Sequence, residues 1–198
     1  MVIYAYHKEK IEVLSSIFIC VGFPLLKEED FASIYKQIKE EYPKAAHYPY
    51  AFIVNNYIKS SDDGEPSNAA SKNLVLLLKE KGFNYSGLII IRYFGGTKLG
   101  LPRLRRTFLD VAKLTLDNAP KGEIKKLNYY SLSLSYSEFD YLKRIANKYE
   151  VEILNSLFEV DVKVEIKTVL DKQKIIDIFK LSEQNILKSE EKEEVVKL

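Results

Sequence analysis

Two short segments carry most of the side chains able to do chemistry: Ser60–Asn73 (SSDDGEPSNAASKN) and Arg92–Gly100 (RYFGGTKLG). The first sets Asp62, Asp63 and Glu65 within four residues. Such carboxylates could hold a magnesium ion together with phosphate oxygens. They could equally cap backbone N–H groups in an Asx-type turn. Asp63-Gly64 and Glu65-Pro66, followed by Ser67, are themselves turn chemistry. In the second segment Gly95 and Gly96 permit a tight turn and a close backbone approach, and Lys98 adds a mobile cation. Arg103, Arg105 and Arg106 follow directly. Backbone amides at a helix start plus two or three cations make a reasonable phosphate cradle. The glycine spacing matches neither a Walker A loop nor a dinucleotide fingerprint, so no nucleotide cofactor is implied. His47 has no visible partner for base catalysis and reads as a hydrogen-bonded structural residue.

Both segments sit where a loop feeds a helix. Residues 11–25, rich in Ile, Val and Phe, read as one strand ending at Pro24. Lys27–Tyr42 spaces Phe31, Ile34, Tyr35 and Ile38 as an amphipathic helix stopped by Pro43. His47–Asn55 returns to strand composition, and Lys59–Ser71 is a loop entering a helix that ends near Gly82. Gly87–Phe94 is a buried strand broken at Gly95. A helix from Pro102 to Asn118 turns Leu101, Leu104, Phe108 and Val111 inward, with Arg103, Arg106, Asp110 and Lys113 on another face.

Pro120–Gly122 punctuates a change of register, which places a first domain at 1–124 and a second at 125–198. The second half reads β-α-β-β-α-β. Tyr129–Tyr136 is a strand, Ser137 caps a helix to Tyr149, and Val151–Asn155 with Leu157–Val169 forms a hairpin. In that hairpin Val160, Val162, Val164 and Ile166 share one face. Asp171–Ser182 is a helix and Ile186–Leu198 an edge strand or tail. The order suggests a ferredoxin-like sandwich, and the whole chain an α+β protein of two domains.

Composition narrows the function classes. With 198 residues, 46% hydrophobic and 29% charged, the chain can build a core and a solvated surface. One cysteine, Cys20, cannot form an internal disulfide, and two histidines forty residues apart leave no zinc spacing. No metal or cofactor is therefore expected. The longest apolar run, Ile17–Leu26, is too short to span a bilayer, and the expectation is a cytoplasmic protein without membrane contact. Residues 1–125 hold 18 Lys/Arg against 14 Asp/Glu, and residues 126–198 hold 12 against 14. No acid occurs between Glu80 and Asp110, where Lys81, Arg92, Lys98, Arg103, Arg105 and Arg106 lie. Such a stretch is an anion or nucleic-acid footprint, or a solvated helix face.

Together the two segments resemble the IMPACT/YigZ family, whose members carry patterns like SSDDGEPSGTAG and RYFGGxKLGAGGLxRAY. Ser61–Ser67 and Ala70 match the first; Arg92–Gly96, Lys98–Gly100, Leu104 and Arg106 match the second. His47, Tyr50 and Ala51 are similar to a further block, as are Ser16, Phe18 and Ile19 to an N-terminal one. The resemblance covers the first domain. It implies a fold shared with the second domain of a small-subunit ribosomal protein and with domain IV of elongation factor G. It also implies that the second domain is similar to the last domain of that factor, and that the protein has a role near translation. Eukaryotic relatives act by binding a ribosome-associated activator of a stress kinase, and RNA or ribosome binding is the usual suggestion for bacterial ones. This chain departs from the pattern at Asn68, Ala69 and Ser71, and at Leu101, Pro102 and Arg103, where family glycines are lost. Losing them weakens the case for a deep phosphate cradle.

Three functions follow in order. The first is a non-enzymatic binder of RNA or the ribosome through Arg92, Gly95, Gly96, Lys98, Arg103, Arg105 and Arg106. The second is a module meeting an acidic protein partner in translation on the same surface. The third, well behind, is a metal-assisted phosphoester hydrolase using Asp62, Asp63 and Glu65. Whether the acidic and basic motifs form one site is a question for the fold.

Overall fold

Strands buried on both faces organise the N-terminal half. In the computed structural model, which describes residues 1–198, β1 (Val2–Ile3) precedes β2 (His7–Val13) and β3 (Ser16–Pro24). Residues 11–25 are therefore not one strand: β2 and β3 form an antiparallel hairpin. Leu14 and Ser15 make the reversal with φ of 49° and 62°, a turn conformation usually supplied by Asn-Gly. No glycine announces it in the sequence. After a short 3-10 turn at Glu28–Asp30 come α1 (Phe31–Glu41), β4 (Tyr50–Val54) and β5 (Tyr57–Ser61). Then follow α2 (Ser71–Glu80), β6 (Ser86–Tyr93) and α3 (Leu101–Asn118). The expected loop over Lys59–Ser71 thus begins as the last three residues of β5.

The antiparallel sheet runs β2-β3-β6-β4-β5. Strand residues alternate sides, so each central strand feeds two cores. Phe18, Cys20, Ala51, Leu88 and Ile90 pack with Leu74 and Leu78 of α2 and Phe108 and Val111 of α3. Val21, Phe23, Phe52, Ile89 and Ile91 pack with Phe31 and Ile38 of α1. Helices on both faces explain why β6 reads as an unbroken apolar run.

The C-terminal half continues with β7 (Lys121–Leu134), α4 (Tyr136–Ile145), β8 (Glu152–Phe158), β9 (Val162–Thr168), α5 (Lys172–Phe179) and β10 (Ile186–Lys197). Its strand order β10-β7-β9-β8 with this βαββαβ succession is ferredoxin-like. Tyr130, Leu132, Leu134, Val164 and Ile166 form its core with Phe139 and Leu142 of α4 and Ile175 and Phe179 of α5. Two local expectations are corrected. The cap of α4 is Ser135, whose Oγ accepts from Glu138 N while the Glu138 carboxylate accepts from Ser135 N. Ser137 already lies inside the first turn. Val160 is 94% exposed in the turn between β8 and β9, whereas Val162, Val164 and Ile166 are buried.

The chain divides into a unit of Met1–Glu123 with Val195–Leu198 and a unit of Ile124–Glu194. The last four residues thus leave the expected 125–198 domain, and Leu198 N donates to Lys121 O within the first unit. The division falls inside β7, one residue from the boundary read from Pro120–Gly122.

The capping box at α4 satisfies two otherwise orphaned N–H groups. Replacing Ser135 by alanine is expected to lower stability by about 1 kcal/mol, read as a lower urea midpoint with an unchanged slope.

Candidate functional site

The acidic and basic motifs meet in three dimensions. Arg92 is the last inward residue of β6, directly opposite Phe18 in the sheet, and its guanidinium carbon lies 5.5 Å from that ring's centre. Its Nη1 donates to both carboxylate oxygens of Glu65, each at 2.7 Å, and the Glu65 side chain is fully buried. The loop between β5 and α2 is thereby fastened to the end of β6. Arg92 is consequently an interior cation paired with Glu65, set apart from the exposed arginines of α3.

The other two carboxylates are also engaged. Asp62 Oδ1 accepts from Ala70 N and Ser71 N, both at 2.9 Å, and Oδ2 accepts from Asn68 N at 2.8 Å. It therefore closes the start of α2, satisfying amides that lack helical partners. Burial alone would raise the pKa of Asp62, but the amide hydrogen bonds from Ser71, Ala70 and Asn68 outweigh it and hold the group below the usual aspartate value. Asp63 Oδ2 accepts from Tyr48 N at 2.7 Å, and its carbonyl oxygen lies 2.8 Å from His47 Nδ1. A carbonyl only accepts, so His47 carries its proton on Nδ1 and leaves Nε2 as the free nitrogen. Gly64 backs onto the same ring, where a Cβ would approach Nδ1 to 3.0 Å. Of the two chemistries the acidic loop allowed, the turn is the one formed. Asp62, Asp63 and Glu65 do not converge on a point, and no three His, Cys, Asp or Glu side chains gather elsewhere.

The departures from the family pattern have a local explanation. Asn68 has φ of 56°, a left-handed conformation that asparagine tolerates better than other side chains. The glycine lost there is replaced by the next best residue for that backbone angle. Pro102 occupies the first turn of α3, where its missing N–H costs nothing.

Gly95 serves the fold and not a ligand. Its N donates to Ser16 Oγ at 3.0 Å, and a Cβ there would lie 2.1 Å from the Ser15 carbonyl carbon. The close approach expected at this glycine is made to the β2–β3 turn. Gly96, by contrast, has open space around it and φ of 86°.

A cleft of about 490 Å³ opens beside the Arg92–Glu65 pair. Ala46, His47, Pro66, Phe94 and the segment Lys98–Leu101 with Leu104 complete its walls. Phe94 is half exposed, and Lys98 is exposed and without an ion pair. The arginines of α3 fan out from it. Arg103 and Arg106 line a separate groove with Val13, Pro102, Thr107 and Asp110, while Arg105 lies beside Asn68, Lys72 and Asn73 at the start of α2. Arg106 Nε is 3.8 Å from Asp110, a surface pair of small energetic weight. Ser67 is exposed on the loop beyond the pair. The sequence reading missed Ala46, Leu99 and Leu101 as cleft walls and Val13 as neighbour of the arginines; only the hidden hairpin turn could have pointed to the last.

These features define a two-domain α+β protein whose signature loops build one cleft beside a basic helix. Residues 14–116, just over half of the chain, match the model of the Impact N-terminal domain. An IMPACT family member of Haemophilus influenzae is 29% identical over 140 residues, covering 68% of each chain. The IMPACT family member YvyE of Bacillus subtilis is 27% identical over 170 residues, 84% of this chain and 77% of its own. A solved crystal structure of a hypothetical protein shares the fold over 97% of this chain and 94% of its own, with TM-score 0.58 and 20% identity. The chain belongs to the IMPACT family.

Two outcomes follow. Glu65→Gln leaves the Arg92 charge buried without its counterion and is expected to cost about 3–5 kcal/mol in denaturant unfolding. For Asp62 the folded pKa lies below the unfolded value of about 3.9, so the native state binds fewer protons and stability drops as the solution is acidified. The stability gap between wild type and Asp62→Asn should be full near pH 7 and shrink as pH drops through that folded value; a gap that widened in acid would contradict the assignment.

Proposed function

We propose that this chain is a translation-associated binding protein of the cytoplasm that recognises RNA, on the ribosome or free, through the N-terminal turns of α3. The observation carrying this reading is a run of exposed cations with one carboxylate among them. Lys72, Lys98, Arg103, Arg105 and Arg106 surround the starts of α2 and α3, and Asp110 is the one carboxylate within 4 Å of any of their charged nitrogens. The positive end of the α3 dipole adds to the same field. Membership of the IMPACT family supports the translation-linked part, which the sequence resemblance implies. No helix is long and apolar enough to cross a membrane.

We read the activity as binding without turnover. Each carboxylate of the acidic loop already has protein partners, so a metal-assisted hydrolase would have to break the cap of α2 or the buried pair to recruit ligands. An acidic protein partner on the same surface remains the second reading.

On a single strand each phosphate contact adds about 0.7 to the slope of log affinity against log salt. Arg103→Ala/Arg106→Ala should weaken binding to single-stranded RNA and purified ribosomes, and flatten the slope for single-stranded RNA by about 1.4. Binding by neither RNA nor ribosomes above a neutral control would overturn the RNA reading and favour the protein partner. Magnesium-dependent phosphoester turnover lost in Asp63→Ala would overturn the non-enzymatic one.

A further inference from the structure

The cleft and the basic face of α3 are different surfaces, and the cleft's chemistry is not that of a polyanion track. Its walls are mainly Pro66, Phe94, Leu99, Leu101 and Leu104. Its volume of about 490 Å³ falls in the range of small-molecule sites, which pair apolar walls with a few convergent polar groups.

Those polar groups are hydrogen-bond donors. Arg92 is nine-tenths buried, yet Glu65 engages only its Nη1. Nε is buried without any acceptor, and Nη2 makes no hydrogen bond within the chain. A buried donor without an acceptor, as Nε is, is a costly arrangement, while Nη2 keeps contact with solvent. Lys98 stands on the same wall with no counterion. The fold holds these donors ready and supplies nothing for them.

Charge narrows the ligand. Glu65 cancels Arg92, which leaves the cleft with the single positive charge of Lys98. One negative charge balances it, whereas a phosphate monoester carries about −1.5 to −2. A nucleobase would bring N–H donors of its own, and with Glu65 engaged the side-chain acceptors on the wall reduce to His47 Nε2. We propose that the cleft binds an apolar-bodied monocarboxylate. The carboxylate sits between Lys98 and the unengaged N–H groups of Arg92, with its body against Phe94, Leu99 and Leu101. A free organic acid and the C-terminal carboxylate of a peptide share this chemistry.

The test is a methyl NMR titration of the full chain with hexanoate, 3-phenylpropionate and N-acetyl-leucyl-phenylalanine. Each is run beside its neutral counterpart, the alcohol or the peptide amide. At least one acid should shift the methyls of Leu99, Leu101 and Leu104 saturably, with a Kd of about 1 mM or tighter. Binding should weaken about tenfold for the neutral counterpart and for Lys98→Met. Lys98 is exposed and unpaired, so its replacement leaves the fold intact; Arg92 is kept, because removing it would strand Glu65. Arg103→Ala/Arg106→Ala should leave acid binding unchanged, which separates this site from the RNA surface whatever that variant does to RNA. Free acids binding more tightly than the peptide, or the reverse, names the source. The proposal is overturned if no acid shifts these methyls saturably, if acid and neutral probes bind alike, or if loss follows the α3 arginines and not Lys98.

Discussion

A guanidinium and a carboxylate buried against each other join the end of β6 to the loop ahead of α2. Taking both charges out of water is expensive, and only short, well-made hydrogen bonds offset it. The pair therefore fixes geometry more than it adds stability. With Glu65 held, the preceding residues have one way to run: Asp62 reaches the amides that open α2, and Asp63 meets Tyr48 and His47. The cleft, its modest charge and the exposure of the neighbouring cations all follow from that anchoring.

The same arrangement separates two kinds of positive charge. Arg92 is fixed and neutralised inside, where it shapes a cavity. Arg103, Arg105 and Arg106 are solvated and diverge around α3, because residues three apart share a helical face and neighbours do not. A sequence places them all in one basic run; the fold assigns them to an interior pair, a groove beside Val13 and a patch beside Lys72.

What could be read from sequence was local. The stripe of α3 from Leu104 onward, the apolar run of β6 and the valines of β9 declare themselves through period alone, whereas Leu101, expected to face inward, is 38% exposed. The partnerships of the site did not, since Glu65 and Arg92 are 27 residues apart, and Gly95 and Ser16 are 79 apart. The acidic loop was legible as two chemistries at once, and the choice between them rested on whether backbone amides or an ion met Asp62. The β2–β3 turn was invisible because Leu14 and Ser15 adopt left-handed angles that their side chains disfavour, held there by the sheet on either side.

Gly95 and Gly96 exclude side chains for unrelated reasons, one because atoms of Ser15 occupy the space and the other because of its backbone angle. Angle can be met by other residues, as Asn68 does, whereas occupied space cannot. A side chain at position 96 would therefore cost only a strained backbone angle, whereas one at position 95 would have to displace the β2–β3 turn. Two adjacent glycines that look equivalent in one sequence thus differ in whether a substitution strains one residue or dislodges a neighbouring hairpin.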